Sequence, residues 1–288
     1  MNHNMACDPK KMPKIINDDY AITFACYNQI EYTRQYINSL VDTGIDLGRV
    51  VAVDNGSTDG TRAYLESLNL GRCIFNKKNL GCGVAWNQGA LALQTEWTVI
   101  MNNDVVVTPG WLENLMLTAR DKKLKIVSPA LIEGTLDYNL NEFARNAALR
   151  MKSAVRKGGP HAVCLAVHSS VWVEIGYFRP APKLWGFEDT LFFYEAEQAG
   201  IAMGMTGSSW LHHFGSITVK AIKKERDVGE KQGLGARKNY ILLNQSWLER
   251  KIRKIRQIYQ RRIWRDREVA EFGMSMHGLR QNGRFEWI

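Results

Sequence analysis

Paired cysteines, repeats and low-complexity segments are missing from this chain of 288 residues. Its five cysteines are odd in number and scattered, and no two of them form a Cys-x-x-Cys pair: Cys7, Cys26, Cys73, Cys82 and Cys164. This pattern argues against a disulfide framework and against a zinc site, and it is typical of reduced thiols in the cytosol.

Long apolar runs are missing as well. No uninterrupted stretch reaches the roughly 18 apolar residues that a transmembrane helix needs, so we predict no membrane span. The first residues, Met1–Met5, lack the apolar core of a signal peptide. The hydrophobic fraction of 45% is ordinary for a globular protein. We therefore expect a cytoplasmic protein with a large single core, or one domain plus an extension.

Positive charge is concentrated at the end of the chain. The net charge is +9, and the segment from Lys220 onward holds 18 Lys/Arg against 8 Asp/Glu. Residues 1–219 hold 20 against 21 and are nearly neutral. This shift predicts a boundary near residue 219. We expect a disordered polar N-terminus over 1–18, a main domain over 19–218 and a basic helical extension over 219–288.

Short apolar runs alternate with helical patterns through the main domain. Strands are predicted at Tyr20–Cys26, Val50–Val53, Cys73–Asn76 and Trp97–Met101, each followed by a helix or a loop and a helix. Such alternation predicts an α/β fold, with a mostly parallel sheet flanked by helices and joined by right-handed crossovers.

Asn102-Asn103-Asp104 ends the fourth of these strands. A carboxylate flanked by amides at this place lies at the carboxyl edge of the sheet, where open α/β sheets bind ligands. Oxygen ligands of this kind suit Mg²⁺ or Mn²⁺ holding a diphosphate.

Two more polar segments follow strand ends. Asp54 ends the second strand and can accept hydrogen bonds from a base or from ribose hydroxyls; the alternative is a plain loop with Asx-turns and a helix cap. Asn79, Gly81, Gly83 and Asn87 straddle a loop and the next helix start, whose N–H groups favour anions. For these the alternative is an ordinary glycine-rich loop.

An acidic pair and a histidine pair complete the candidates. Glu188 and Asp189 begin a helix beside aromatic residues, where they complement the helix dipole or supply a general base whose pKa the apolar surroundings raise. His212 and His213 follow the last core strand, where a ring nitrogen can complete a divalent metal shell. A lone histidine is more often structural.

Taken in order, these motifs resemble the family 2 glycosyltransferases of GT-A fold, and the resemblance covers about residues 19–218. It is carried by Tyr27-Asn28, Val53-Asp54-Asn55-Gly56-Ser57-Thr58-Asp59-Gly60-Thr61, Asn79-x-Gly81, Asn87-x-Gly89, Asn102-Asn103-Asp104, Ile175-Gly176-x-Phe178, Glu188-Asp189 and His213-x-x-Ser216.

The resemblance implies an inverting transfer of a sugar from a nucleotide-diphosphate sugar, with UDP-sugars favoured, and dependence on Mn²⁺ or Mg²⁺. Asp189 would be the general base, with Glu188 beside it. Asp104 would bind the metal in a DXD-type motif whose first position is Asn102, and His212 or His213 would be the late metal ligand. The donor would contact Ala25, Tyr27, Asn28, Asp54, Asn79, Gly81, Asn87, Asn102 and Asn103.

The acceptor implied by the resemblance is a hydroxyl of a glycan or a lipid-linked glycan. Trp185 and Phe187 could stack on it, or they could pack in the core at the helix start.

Two other classes of protein fit less well. A catalytically inactive sugar-nucleotide-binding module would be expected to lose the carboxylates of Asp104 and Asp189, and both are present. A nucleotidyltransferase would carry a glycine-rich, arginine-containing loop near the N-terminus, which this chain lacks.

Residues 247–265 predict a basic amphipathic helix. Three interpretations remain open. The helix could dock on the core by its apolar stripe. It could lie on an anionic membrane, at the inner face, and bring the enzyme to its acceptor. It could instead bind nucleic-acid phosphates, with a hydroxylated DNA base as the acceptor.

Overall fold

We analysed a computed structural model that describes residues 19–92, 95–180, 187–215, 217, 221 and 245–288. The predicted disordered N-terminus, Trp185 and most of 219–244 lie outside these residues. None of the described helices is long and apolar enough to cross a membrane.

Eleven described strands form one sheet. They are β1 (Tyr20–Cys26), β2 (Val50–Asp54), β3 (Arg72–Phe75), β4 (Trp97–Asn102), β5 (Val105–Val107), β6 (Ile126–Gly134), β7 (Val155–Lys157), β8 (Cys164–His168), β9 (Met203–His213), β10 (His277–Gln281) and β11 (Arg284–Trp287).

Eight described α-helices surround this sheet. They are α1 (Ile30–Asp42), α2 (Thr61–Glu66), α3 (Cys82–Ala92), α4 (Trp111–Asp121), α5 (Leu140–Arg150), α6 (Ser169–Ile175), α7 (Glu188–Gln198) and α8 (Trp247–Phe272), with a 3₁₀ turn at Leu47–Arg49.

The strand order along the sheet is β11-β10-β6-β8-β4-β1-β2-β3. The first four strands pair in parallel, with β1 between β2 and β4. Beyond them β8 runs antiparallel between β4 and β6, and β9 lies parallel to β6 while pairing antiparallel with β5 and β7. The α/β class is confirmed, and the sheet is mixed beyond its parallel part.

The main core gathers residues of β1, β2, β4, α1 and α4, among them Phe24, Tyr36 and Trp111. On the same sheet α3 approaches β1 very closely. A Cβ atom at Gly89 would lie 1.7 Å from Oγ1 of Thr23, so only glycine permits this contact. The close packing fixes the start of α3 beside the carboxyl ends of the parallel strands.

The end of the chain returns to the sheet, which the sequence analysis missed. β10 pairs in parallel with β6, and β11 pairs with β10 through a two-residue turn. That turn is Asn282-Gly283, with φ of 50° and 71°, as a type I′ hairpin requires. The basic extension therefore contains two strands as well as α8.

A buried ion pair fastens the C-terminal part of α8 to the sheet. Both side chains are 8% exposed, and Nη2 of Arg156 donates to Oε2 of Glu268 at 2.7 Å. The same guanidinium donates to Oγ of Ser275 at 2.9 Å, and the backbone N–H of Met276 donates to Glu268 at 2.9 Å. One carboxylate thus joins β7, α8 and the approach to β10.

Removing that carboxylate should destabilise the protein strongly. We expect Glu268→Ala to lower the free energy of unfolding by about 3–5 kcal/mol, because it leaves the Arg156 charge buried without its partner. Urea unfolding followed by circular dichroism measures the effect. Glu271→Ala is the matched control on the same helix, since its pairing with Arg267 at 3.9 Å is exposed and should contribute less than about 1 kcal/mol. Equal effects of the two substitutions would contradict this role for the pair.

Candidate active site

The ends of three parallel strands bring the first candidates together. In register, Ala25 of β1 lies beside Val53 of β2 and Asn102 of β4, and Cys26 lies beside Asp54. Asp54 and Asn102 therefore flank the end of β1, at the edge where the strand pattern predicts a ligand site.

Asp54 is held in a network of loop hydrogen bonds. It is 2% exposed, and its Oδ1 accepts from the backbone N–H of Ser57 at 3.0 Å. Asn28 joins the same loop from the other side, because its Oδ1 accepts from the N–H of Thr58 at 2.7 Å and its own N–H donates to Oγ of Ser57 at 2.7 Å. Burial raises the pKa of Asp54 above its usual value. The loops after β1 and β2 thus form one rigid unit.

Asn55 connects that unit to the glycine-rich loop before α3. Its side-chain N–H groups donate to Oδ1 of Asn79 and to the carbonyl of Gly81, each at 3.2 Å. At the same contact a Cβ on Gly56 would lie 2.9 Å from Cα of Lys78, so the two loops touch backbone to backbone. Asn55 was not among the predicted site residues, although its place directly after Asp54 could have indicated it.

Two asparagines predicted to contact the sugar-nucleotide donor form hydrogen bonds within the protein. The amide of Asn87 donates to the carbonyl of Phe178 at 2.7 Å and accepts from the N–H of the same residue at 3.1 Å. Asn103 is 4% exposed and donates to Oγ1 of Thr33 at 2.9 Å. Both amides position neighbouring segments, and their contact with the sugar-nucleotide donor stays a prediction.

Asp104 lies against His213 across the pairing of β5 with β9. Oδ1 of Asp104 and Nε2 of His213 are 3.3 Å apart, and Nδ1 of the same ring is 3.3 Å from Oε1 of Glu133. Nε2 of His213 is buried and lacks a hydrogen bond of good geometry within the described part of the chain. Burial alone would lower the pKa of His213, but the two carboxylates outweigh it and raise the pKa to about 9.

The neighbouring His212 points into the protein. Its Nδ1 is 3.1 Å from the hydroxyl of Tyr138, and its Nε2 is 3.1 Å from the carbonyl of Gly134. Burial lowers the pKa of this imidazole to about 4. Because both ring nitrogens of His212 already have protein partners, the structure favours His213 as the candidate metal ligand of the pair. The described residues contain no group of three or more His, Cys, Asp or Glu side chains arranged around one point.

The acidic pair begins α7 after a strained residue. Phe187 has φ of 88°, which is uncommon for a side chain of this size. Glu188 then packs on the start of α3, where a Cβ at Gly83 would lie 3.1 Å from Cβ of Glu188. Burial raises the pKa of Glu188 to about 7. Asp189 accepts from the N–H of Thr190 at 2.6 Å.

The charges of several acidic side chains act on the thiol of Cys82. Burial raises the pKa of its thiol first, and the negative charges of Glu188, Asp104 and Asp189 raise it further. Asp104, which follows β4, and the acidic pair of α7 thus act electrostatically on a residue at the start of α3.

A cleft of about 1200 Å³ opens on the other side of Asp189, between α7 and α8. Phe193 and Tyr194 of α7 and Arg256 of α8 are among the residues that line it. Phe187, for which stacking on an acceptor and packing in the core were both left open, is 7% exposed and packs on Leu191.

Substitution of Glu188 should change how stability depends on pH. In the unfolded chain the glutamate has its ordinary pKa of 4.5, whereas in the folded protein its pKa is about 7. The wild-type protein should therefore lose stability as pH rises between these values, by about 2–3 kcal/mol, and Glu188→Gln should not. The unfolding free energies of the wild type and of Glu188→Gln should agree near pH 4, and that of the variant should be the larger at pH 8. The control Glu197→Gln should follow the wild type, and a constant difference at every pH would contradict the shifted pKa.

The model of the family described as glycosyl transferase family 2 matches residues 22–183. An uncharacterized glycosyltransferase of Haemophilus influenzae is 25% identical over 100 residues, which cover 33% of this chain and 31% of that protein. An uncharacterized glycosyltransferase of Rickettsia typhi is 29% identical over 94 residues, which cover 33% of this chain and 30% of that protein. The matches thus span about a third of each relative's length.

Solved structures with the GT-A fold resemble the chain. A structure of GalNAc-T7 with UDP, GalNAc and Mn²⁺ has a TM-score of 0.55 at 15% identity, covering 68% of this chain and 44% of that one. A structure of S. aureus TarS 1–349 with UDP-GlcNAc has a TM-score of 0.53 at 16% identity, covering 68% and 58%. At these identities the likeness concerns the fold.

Proposed function

The chain belongs to glycosyl transferase family 2 and has a GT-A fold, and from that premise we propose that it moves a sugar from a nucleotide-diphosphate sugar, with UDP-sugars favoured, to an acceptor hydroxyl with inversion. The acceptor we propose is a glycan or a lipid-linked glycan. The observation that carries the proposal is the arrangement at the carboxyl ends of the parallel strands, where Asp54 and Asn102 flank the end of β1 and Asp104 lies 3.3 Å from His213.

The donor side is assigned to the edge of the parallel strands. Asp54 and Asn28 would take the nucleoside, because they lie in the loops after β2 and β1. Ala25 and Tyr27 lie at the same edge, and Asn102 ends the neighbouring strand. Asn79 and Gly81 belong to the loop before α3, whose N–H groups favour the anionic diphosphate. Asn55 would position this loop.

Two side chains, Asp104 just after β4 and His213 at the end of β9, fit a divalent cation, Mn²⁺ or Mg²⁺. Asp104 and His213 offer an oxygen and a nitrogen 3.3 Å apart, and the nitrogen is the buried one without a well-formed hydrogen bond to the described residues. One or two protein ligands plus substrate phosphates is the usual arrangement for Mg²⁺ in such sites. When bound, the ion would neutralise the diphosphate as it leaves. Glu133, which contacts the other nitrogen of His213, would fix the orientation of the imidazole.

Asp189 is proposed as the general base. It lines the cleft, so its carboxylate can accept the proton of an acceptor hydroxyl held there. The deprotonated oxygen then attacks the anomeric carbon from the face opposite the diphosphate, which inverts the configuration. Glu188 faces the start of α3 instead, and its raised pKa makes it the rival candidate for this role.

The cleft between α7 and α8 is proposed as the acceptor site. Its volume of about 1200 Å³ is ample for more than one sugar ring. Phe193 and Tyr194 line it, and their rings can pack on the apolar faces of sugars.

A donor-hydrolysis screen tests the proposal. UDP-, GDP- and dTDP-sugars are incubated with the protein, with and without Mn²⁺ or Mg²⁺, and release of the nucleoside diphosphate is measured. We expect release from a UDP-sugar that requires the divalent ion. Binding of UDP-sugars without release under any condition would favour the inactive binding module. Release of pyrophosphate from a sugar phosphate and a nucleoside triphosphate would favour a nucleotidyltransferase.

A further inference from the structure

The apolar stripe of α8 faces away from the protein. Trp247, Leu248, Ile255 and Ile258 lie on one side of the helix, given its period of about 3.6 residues. Their exposed fractions are 65%, 57%, 58% and 59%, far above what a docked side chain shows. We call these four residues the outer stripe. At these four positions the apolar residues of α8 do not dock on the described core.

The body of the protein is held by the other side of α8. Trp264 packs over Gly159, and Glu268 forms the buried pair with Arg156. Further toward the N-terminus of the helix, the guanidinium of Arg253 lies 4.5 Å from the ring centroid of Tyr194 on α7. Because these contacts fix the rotation of α8, the outer stripe is directed outward by the fold.

Cations surround the outer stripe. Residues 247–265 contain eight Lys or Arg and one acidic residue, Glu249. Lys251 precedes Ile255 by four residues, and its Nζ lies 4.9 Å from the ring centroid of Trp247. Arg262 follows Ile258 by four residues, which makes the two side chains neighbours on the helix surface. The surface therefore combines exposed apolar side chains with a strong positive charge.

We propose that the outer stripe of α8 inserts into the interface of a bilayer that contains anionic lipids. The apolar side chains enter the headgroup boundary, while the lysines and arginines meet lipid phosphates. A nucleic acid satisfies the cations but leaves Trp247, Ile255 and Ile258 in water, because its outer surface is phosphate. A second copy of the helix would bring two like-charged surfaces together.

This inference also bears on the acceptor, and that part rests on the proposed function. The side of α8 opposite the outer stripe lines the cleft that contains Asp189. A helix lying on a membrane would therefore hold the cleft about one helix diameter, roughly 10 Å, above the lipid surface. The glycan of a lipid-linked acceptor could reach Asp189 there while its lipid stays in the bilayer.

Vesicle binding tests the inference. The full-length protein is mixed with vesicles of phosphatidylcholine alone, or of phosphatidylcholine with phosphatidylglycerol, and sedimented. We expect clear binding to the anionic vesicles and weak binding to the neutral ones. Ile255→Gln with Ile258→Gln should lower the partition coefficient roughly 100-fold, because each buried isoleucine contributes a factor of about ten or more. Gln257→Ala with Gln260→Ala, on the cleft side of the same helix, should leave binding unchanged.

Further arms separate the other occupants. Lys251→Gln with Lys254→Gln should weaken binding to the anionic vesicles alone, by roughly tenfold or more. Circular dichroism verifies that each variant remains folded. The inference is overturned if the isoleucine variant binds vesicles like the wild type, or if wild-type protein fails to bind them. Duplex-DNA binding without vesicle binding would overturn it, as would a dimer that only the isoleucine substitutions dissociate.

The same assay keeps this inference separate from the proposed function. Asp189→Asn should bind vesicles as the wild type does, because Asp189 is not on the outer stripe. Donor hydrolysis without vesicle binding would leave the proposed function standing and remove only the membrane surface. Vesicle binding by a protein that cleaves no donor would leave the membrane surface standing and remove the proposed function.

Discussion

Asp189→Asn should lower kcat for sugar transfer by about 10²- to 10⁴-fold while donor binding stays within a few-fold of the wild type. The expected loss is that of a general base, because the amide keeps the shape of the side chain and cannot accept the acceptor proton. Asp189 lines the acceptor cleft and is not among the residues assigned to the donor, so the Kd of the nucleotide should change little. Transfer assays and calorimetric nucleotide titrations measure the two quantities separately.

Two neighbours serve as controls for that result. Glu197→Gln removes a carboxylate from the same helix and the same cleft and should retain transfer. Glu188→Gln decides between the rival bases. If Glu188 were the base, transfer would fall in that variant and the wild-type rate would drop as pH decreases through about 7. Normal turnover of Asp189→Asn would exclude Asp189 as the base.

Asp104→Asn should weaken the affinity for Mn²⁺ by more than about 100-fold. Residues that only support a metal ligand typically contribute 10–100-fold, so a direct ligand should contribute more. The loss should be large here because Asn102 and Asn103 are neutral, which leaves Asp104 as the carboxylate of this motif. Donor hydrolysis titrated with Mn²⁺ measures the change.

Matched substitutions in the histidine pair sharpen this prediction. His213→Ala should also weaken Mn²⁺ affinity, because Nε2 lies 3.3 Å from Asp104. His212→Ala should lower stability with a smaller effect on the metal, since it leaves the hydroxyl of Tyr138 and the carbonyl of Gly134 without a partner. An unchanged divalent-ion requirement in Asp104→Asn would show that the ion binds elsewhere.

The strand edge could be predicted from the sequence because parallel strands bring their carboxyl ends together. Asp54 and Asn102 each end an apolar run, and the structure places them on either side of β1. The amides were harder, because an asparagine beside a site can face the ligand or hold the scaffold. The partners of Asn87 and Asn103 are Phe178 and Thr33, which lie 91 and 70 positions away along the chain.

The histidine pair has a similar explanation. Successive residues of a strand point to opposite sides, so one of His212 and His213 had to face Asp104 and the other had to face away. Which one does so depends on the register of β9 against β5, where Val105 pairs with His213. That register is set by tertiary contacts, and local sequence cannot supply it.

In the C-terminal region the sequence contains a hairpin signal that was missed, and it does not determine which side of α8 packs on the protein. Asn282-Gly283 is a strong hairpin signal, but the short segments around it carry charged residues that obscure a strand pattern. The amphipathic character of α8 could be read directly, whereas the side that packs on the protein could not. The buried Arg156–Glu268 pair decides this, and its members are 112 positions apart.

The configuration of the released sugar tests the central claim most directly. Wild-type protein with Mn²⁺ is incubated with UDP-glucose or UDP-N-acetylglucosamine, both α-linked, and proton NMR follows the anomeric signals in real time. The account predicts that UDP appears together with a product whose first-formed anomer is β, and that Asp189→Asn and Asp104→Asn suppress both. A product that appears first as the α-anomer would contradict inversion. Intact UDP-, GDP- and dTDP-sugars in the presence of Mn²⁺ and folded protein would contradict the proposed transfer itself.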